Sequence, residues 1–167
     1  MRRVLRGIDA ISDWSGKLVS FLILFMMVIL LIEVTSRYAF NAPTSWAHET
    51  SQHMFGAFSM LAGAYVLLHF QHVRVDVIYS RFSPRGRAIA DSVTYLLFFL
   101  FCGLMLKYGI DYATMAVKIK EMSFSPWGPP IYPLKCAVPL AAGLIILQGL
   151  AHYIRFLHKA ITGRELT

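Results

Sequence analysis

The side chains with ligating or reactive chemistry are six histidines, two cysteines and a sparse set of charges, mostly at the borders of long apolar runs. His69 and His72 follow one such run, and His152 and His158 follow another. Imidazoles on two helices at one depth can hold a haem iron axially. A haem-bearing membrane anchor subunit of a redox enzyme is therefore one reading of these residues. The competing reading is that they are polar caps at the ends of apolar segments. His48 and His53 share a single segment, so they do not form a second matched pair. Cys102 and Cys136 have neither metal-ligand spacing nor a disulfide framework, and read as small buried hydrophobes. Glu33 with Arg37, and Lys107 with Asp111, have the i,i+4 spacing of local helical pairs. There is no G-x-S-x-G, P-loop or zinc-protease motif, and no spacing nominates a catalytic triad. The chain does not read as an enzyme.

Glu49, Gln52, Gly56, Ser59 and Gly63 recur in steps of three and four, which puts them on one face of a helix. Glycine and serine allow close helix approach inside a membrane, and the polar members can bond across the contact. This stripe is a candidate helix interface, either within the chain or with a larger membrane partner.

The elements that carry these residues follow from composition. Of 167 residues, 57% are hydrophobic and only 15% are charged, against about 25% charged in ordinary soluble domains. Mean hydropathy is +0.57. A soluble fold of this length has too little interior for so much apolar surface. Four apolar runs, residues 18–32, 54–68, 92–106 and 136–151, contain no Asp, Glu, Lys or Arg. With their flanks each reaches about 20 residues, enough to cross a hydrocarbon layer of about 30 Å. Helices are the natural solution, because lipid offers no partners to backbone groups. The pattern predicts an all-α membrane protein with one membrane domain over residues 1–167 and spans at about 17–40, 48–70, 89–113 and 131–156.

The net charge of +7 is unevenly placed. Four spans put both termini on one side. Arg2, Arg3, Arg6, Lys17, Arg155, Lys159 and Arg164 lie there, with Arg74, Arg81, Arg85 and Arg87 of the middle loop. The opposite side has Arg37, Lys107, Lys118, Lys120 and Lys135. The positive-inside rule makes the termini and the 69–87 loop cytoplasmic, and explains the basic charge without nucleic acid. Ahead of the first span, Val4, Leu5, Ile8, Ile11, Trp14 and Leu18 recur at helical spacing among charges. That predicts a short N-terminal amphipathic helix lying in the membrane interface, with Trp14 as its anchor among the lipid headgroups. Pro43 and Trp46 mark one outer turn, prolines 126, 129, 130 and 133 punctuate the other, and Pro139 should bend the last span.

The fragments "RYAFN" (37–41), "WAHE" (46–49), "HVRVDVIYSRFSPRGRA" (72–88) and "PLKCAVPLAAGLIILQGL" (133–150) occur in this order. Together they resemble the small membrane subunit of tripartite ATP-independent periplasmic (TRAP) transporters. The resemblance covers nearly the whole chain. By position, Arg37, Trp46 and Glu49 match the family's outer-loop pattern, with Trp127 a further outer-loop candidate. His72, Arg74 and Asp76 match its inner-loop pattern. His48 stands where relatives often have an acidic or polar residue. The resemblance implies a bacterial or archaeal inner-membrane complex, multi-pass, in which a periplasmic binding protein captures an organic anion. A large membrane subunit then carries it inward with sodium. The small subunit would serve as scaffold, with no cofactor of its own and Na+ bound in the large partner.

Overall fold

The computed structural model describes residues 2–69 and 84–162, with the side chains of 2, 84–92, 156 and 159–162 left aside. Five helices make up this part: α1 (Arg2–Ala39), α2 (Ala47–Leu61), α3 (Gly63–Leu68), α4 (Pro84–Lys118) and α5 (Tyr132–Thr162). There is no strand among the described residues beyond an isolated bridge between Met122 and Pro130. Three helices are long and apolar enough to cross a membrane, over Arg3–Ala39, Val93–Lys118 and Tyr132–Arg155.

α1 departs from expectation. In place of a separate interfacial helix and a span, one helix runs without a break for 38 residues. At 1.5 Å per residue that is about 57 Å, well beyond the apolar thickness of a bilayer. Gly16, just ahead of the predicted span, is a packing site. Gly16 is buried, and a Cβ there would overlap the side chain of Tyr65 on α3. A single buried stripe also runs through both halves, with Leu5, Ser12, Val19 and Glu33 all turned inward. Val4, Ile11, Trp14 and Leu18, from the face read as amphipathic, point outward.

The second predicted span is divided at Ala62 into α2 and α3. The division is slight. Ala62 keeps helical angles (φ −68°, ψ −18°), and bonds from Ala62 N to Phe58 O (2.9 Å) and from Val66 N to Ala62 O (3.0 Å) carry the helical pattern through it. Neither piece alone is long enough to span. Together residues 47–68 extend about 33 Å.

α4 begins at Pro84, where a missing N–H costs nothing. It ends in a paired C-terminal lock. Glu121 N donates to Ala116 O at 3.0 Å and Lys120 N to Val117 O at 3.2 Å, with Lys120 at φ +48° in the place usually taken by glycine. α5 carries Pro139 inside it. α5 is the hub of the packing: it lies against α1, α2, α3 and, most extensively, α4, while α1 lies against α2 and α3.

The core is the reverse of a soluble protein's. Its apolar members are chiefly alanines, including Ala47, Ala64, Ala116, Ala142 and Ala151, and the largest fully buried side chains are Gln148 and Ser12. Leu24, Phe25, Leu96, Phe101 and Leu140 are turned outward. Small residues inside and bulky apolar residues outside suit helices that pack in lipid, where burying a leucine against protein gains little over leaving it among acyl chains.

Candidate functional site

Two polar junctions stand near opposite ends of the bundle. At the end that carries the N-terminus, Ser12 Oγ donates to Gln148 Oε1 at 2.8 Å. Gln148 Nε2 donates to Asp9 Oδ1 at 3.1 Å. Arg155 grips the same carboxylate with both terminal nitrogens, one at 3.1 Å from Oδ1 and the other on Oδ2. His152 Nε2 lies 3.1 Å from the carbonyl of Leu67 and 3.3 Å from Gln148 Nε2, and donates to the first or accepts from the second according to its tautomer. The network ties α1, α3 and α5 together. Gln148 and Ser12 are almost wholly shielded, and a buried polar pair stabilises only when its members are bonded.

The junction at the other end has three parts. Glu33 is buried although charged. Its Oε1 accepts from Arg37, and its Oε2 accepts from the backbone N of Thr44 at 2.9 Å and from the Thr44 hydroxyl. One carboxylate thus holds the turn between α1 and α2, where Asn41 takes φ +49°. Glu49, in the first turn of α2, accepts from Ser125 Oγ, which in turn accepts from Gly128 N at 3.0 Å. The loop before α5 is thereby fastened to α2. Lys135 bonds both oxygens of Glu121 at 2.6 and 2.5 Å, and its ammonium lies 4.0 Å from the centre of the Tyr112 ring.

The small-residue stripe divides. Gly56 faces Leu134, and a Cβ at Gly63 would lie 2.8 Å from Ile145 Cδ1, so both glycines serve contacts with α5 inside the chain. Gln52 and Ser59 are exposed, and Gln52 Nε2 lies 3.1 Å from His48 Nε2. Of the two expected local ion pairs, Glu33–Arg37 forms. Lys107 and Asp111 form no ion pair; the Lys107 ammonium instead lies 5.8 Å from the Tyr108 ring centre. A cation placed before its acid along a helix is the weaker orientation of such a pair. Trp46 is partly buried as the residue before α2, and its carbonyl accepts from Thr50 N at 3.0 Å. Trp14 and Trp127 are exposed at 69% and 44%. His72, Arg74 and Asp76, with Arg81, lie outside the described residues.

Reading the sequence for charge alone missed the inner network. Gln148 is the one amide in an otherwise apolar run, and Asp9 stands among arginines; both were available signals. The same network bears on haem. His152 directs Nε2 at a carbonyl, and His69, at the end of α3, holds Nδ1 3.0 Å from Tyr65 O. Among the described residues no three His, Cys, Asp or Glu side chains are grouped so as to hold a metal ion.

Sequence comparison agrees with this architecture. A model of the family described as tripartite ATP-independent periplasmic transporters, DctQ component, matches residues 26–159. A Haemophilus influenzae protein with the provisional name TRAP transporter small permease protein is 28% identical over 82 residues. That match covers 49% of this chain and 51% of the relative, so the chain spans about half the length of the curated relative it matches. Neither likeness favours the haem-bearing anchor.

Proposed function

Because the chain belongs to the DctQ component family of tripartite ATP-independent periplasmic transporters, we propose that it is the small scaffold subunit of a sodium-coupled importer of organic anions. Its partners in this reading are a large membrane subunit, which holds Na+ and substrate, and a periplasmic binding protein. The chain forms one membrane domain in the cell inner membrane, with both termini cytoplasmic. α1, α4 and α5 each cross, and α2 with α3 makes the remaining crossing. The first turns of α1, with Trp14, extend past the apolar layer into the cytoplasmic interface.

The observation that carries the scaffold reading is where the charges end up. A subunit that moves ions itself holds ionisable groups or broken helices near mid-membrane. Here Glu33, Glu49, Glu121 and Lys135 are committed to turns and loops toward one end of the bundle, and Asp9 and Arg155 to the other, while Lys107 and Asp111 on α4 are exposed and stand outside the packed core. What lies between is packed from alanine and glycine. The apolar faces of α1 and α4 supply surface for lipid and for the large subunit, with Gln52 and Ser59 as polar contacts on α2. None of these groups is catalytic, and no cofactor is needed in this subunit.

Reconstitution tests the proposal. The large subunit and binding protein are placed in vesicles with and without this chain, and sodium-driven uptake of an organic acid is followed. Uptake collapses without the chain. In the full complex, Glu33→Gln, Glu49→Gln and Asp111→Asn leave the number of sodium ions per substrate unchanged. A changed ratio places an ion site in this subunit and ends the scaffold reading.

A further inference from the structure

The segment joining α4 to α5, residues 119–131, presents the most exposed apolar side chain of the described protein. Phe124 is 104% exposed, and Met122, Ile119 and Trp127 beside it are open at 56%, 60% and 44%. The exposure does not come from a slack loop. Ser123 N donates to Pro129 O at 2.8 Å, and Ile131 N to Glu121 O at 3.0 Å, closing the segment into a narrow turn. Ser125 bonds Glu49 of α2 and Gly128 N bonds Ser125, with Gly128 in a left-handed conformation (φ +61°) that fits glycine. A braced turn that holds a phenylalanine wholly outward is built to meet another surface.

We infer that this turn is an anchor in the lipid interface, with Phe124 and Trp127 seated among the headgroups and Lys118 and Lys120 on the phosphates of anionic lipids. Four observations select lipid as the occupant. α4, whose candidate crossing segment runs over Val93–Lys118 with its uncharged run at residues 92–106, ends just ahead of the turn, so the turn lies on the side where α4 leaves the bilayer. The exposed charges of the turn and the end of α4 that leads into it are basic: Lys118 and Lys120 are exposed, Glu121 is bonded by Lys135, and the Glu49 carboxylate bonded by Ser125 is only partly exposed. Phenylalanine, tryptophan and lysine together are the composition of an interface belt. Finally, the turn meets much of its own hydrogen-bonding need. Positions 126, 129 and 130 are prolines with no N–H to leave unpaired, and the bonds above close on the protein itself. Entry into a region poor in water requires such self-sufficiency.

The inference rests on α4 crossing the bilayer, and the test separates the two. In a background carrying Cys102→Ala and Cys136→Ala, the full chain is given one cysteine at a time, Phe124→Cys, Leu100→Cys or Ala42→Cys, and spin-labelled. It is then placed in nanodiscs of phosphatidylethanolamine, with or without phosphatidylglycerol. Relaxation by oxygen and by a water-soluble nickel chelate reports depth. Position 100 should respond to oxygen, position 42 to the chelate, and position 124 to oxygen at shallow depth. Phosphatidylglycerol should deepen position 124, and Lys118→Gln with Lys120→Gln should remove that difference. An aqueous label at 124 with a deep label at 100 overturns the anchor and leaves the span standing. An aqueous label at 100 overturns the span itself. If 124 is aqueous in nanodiscs and becomes protected only when the large subunit or binding protein is added, the turn is a protein contact and the inference fails. No response to phosphatidylglycerol overturns the role given to the lysines.

Discussion

Replacing the glycines one at a time with alanine should reveal which helix contacts hold the bundle. In a helix the exchange by itself is favourable by about 1 kcal/mol, because alanine surrenders less backbone freedom. The neighbours then decide the sign. At Gly16 the new Cβ overlaps Cβ, Cγ and Cδ2 of Tyr65, atoms too near the α3 backbone to swing away. α1 and α3 must move apart, and overpacking of that kind costs about 1–3 kcal/mol or somewhat more. The net loss for Gly16→Ala is then about 0–2 kcal/mol, a fall in Tm of up to roughly 8 °C for a chain of this size, whereas an unopposed glycine exchange should gain. At Gly149 the Cβ would lie 2.5 Å from Phe98 Cε1, and at Gly63 2.8 Å from Ile145 Cδ1; a ring edge and a terminal methyl yield more readily. Gly149→Ala should therefore cost less than Gly16→Ala, and Gly63→Ala should come close to balance, whereas Gly63→Leu should disturb packing outright. Nothing lies within 4 Å of a Cβ at Gly7 or Gly103. Those two variants should match or exceed the parent. The assay is thermal unfolding of detergent-purified protein, followed by loss of the monodisperse chromatographic peak. If Gly16→Ala proves as stable as Gly103→Ala, the close approach of α1 and α3 is wrong and so is the reasoning from it.

Gln148→Leu should lower stability by about 1–3 kcal/mol, because Ser12 and Asp9 lose a buried partner; thermal unfolding checks it, and an unchanged midpoint refutes it. Asp9→Asn and Arg155→Gln should be non-additive, with a coupling of about 0.5–3 kcal/mol in a double-mutant cycle, since each removes the same contact. Cysteines at Ala42 and Ser45, in a cysteine-free background, should react with an impermeant reagent added to intact cells, and one at Arg81 should not. Labelling at 81 reverses the orientation.

The helical class and the Glu33–Arg37 pair were legible in the sequence, because each depends on local spacing or on long uncharged runs. Contacts between distant segments were not. Gly56 and Gly63 read as a sticky face, but spacing alone does not say whether the neighbour is Leu134 and Ile145 of the same chain or a residue of another. Nothing local to Gly16 reveals that Tyr65 lies against it. Lys107 and Asp111 have the right spacing but the weaker order, and the pair does not form. Gln148 escaped notice because attention to formal charge passes over an amide, although burial makes its hydrogen bonds as demanding as those of an acid.

The dependence of α4 on α5 for most of its packing has a consequence for biosynthesis. The chain emerges from the ribosome in order, so α4 enters the membrane before its principal neighbour has been translated. It can wait there because its central stretch is apolar on every side, with Leu96, Leu97, Leu100, Phe101 and Leu104 facing out. The residues that would be stranded without partners, Gln148, His152 and Arg155, are translated after α1 and α3, when Asp9, Ser12 and the Leu67 carbonyl are already present to receive them. The order of the elements thus defers the polar handshake until α5 is inserted, and a nascent chain halted before α5 would leave Asp9 without Arg155 and Gln148.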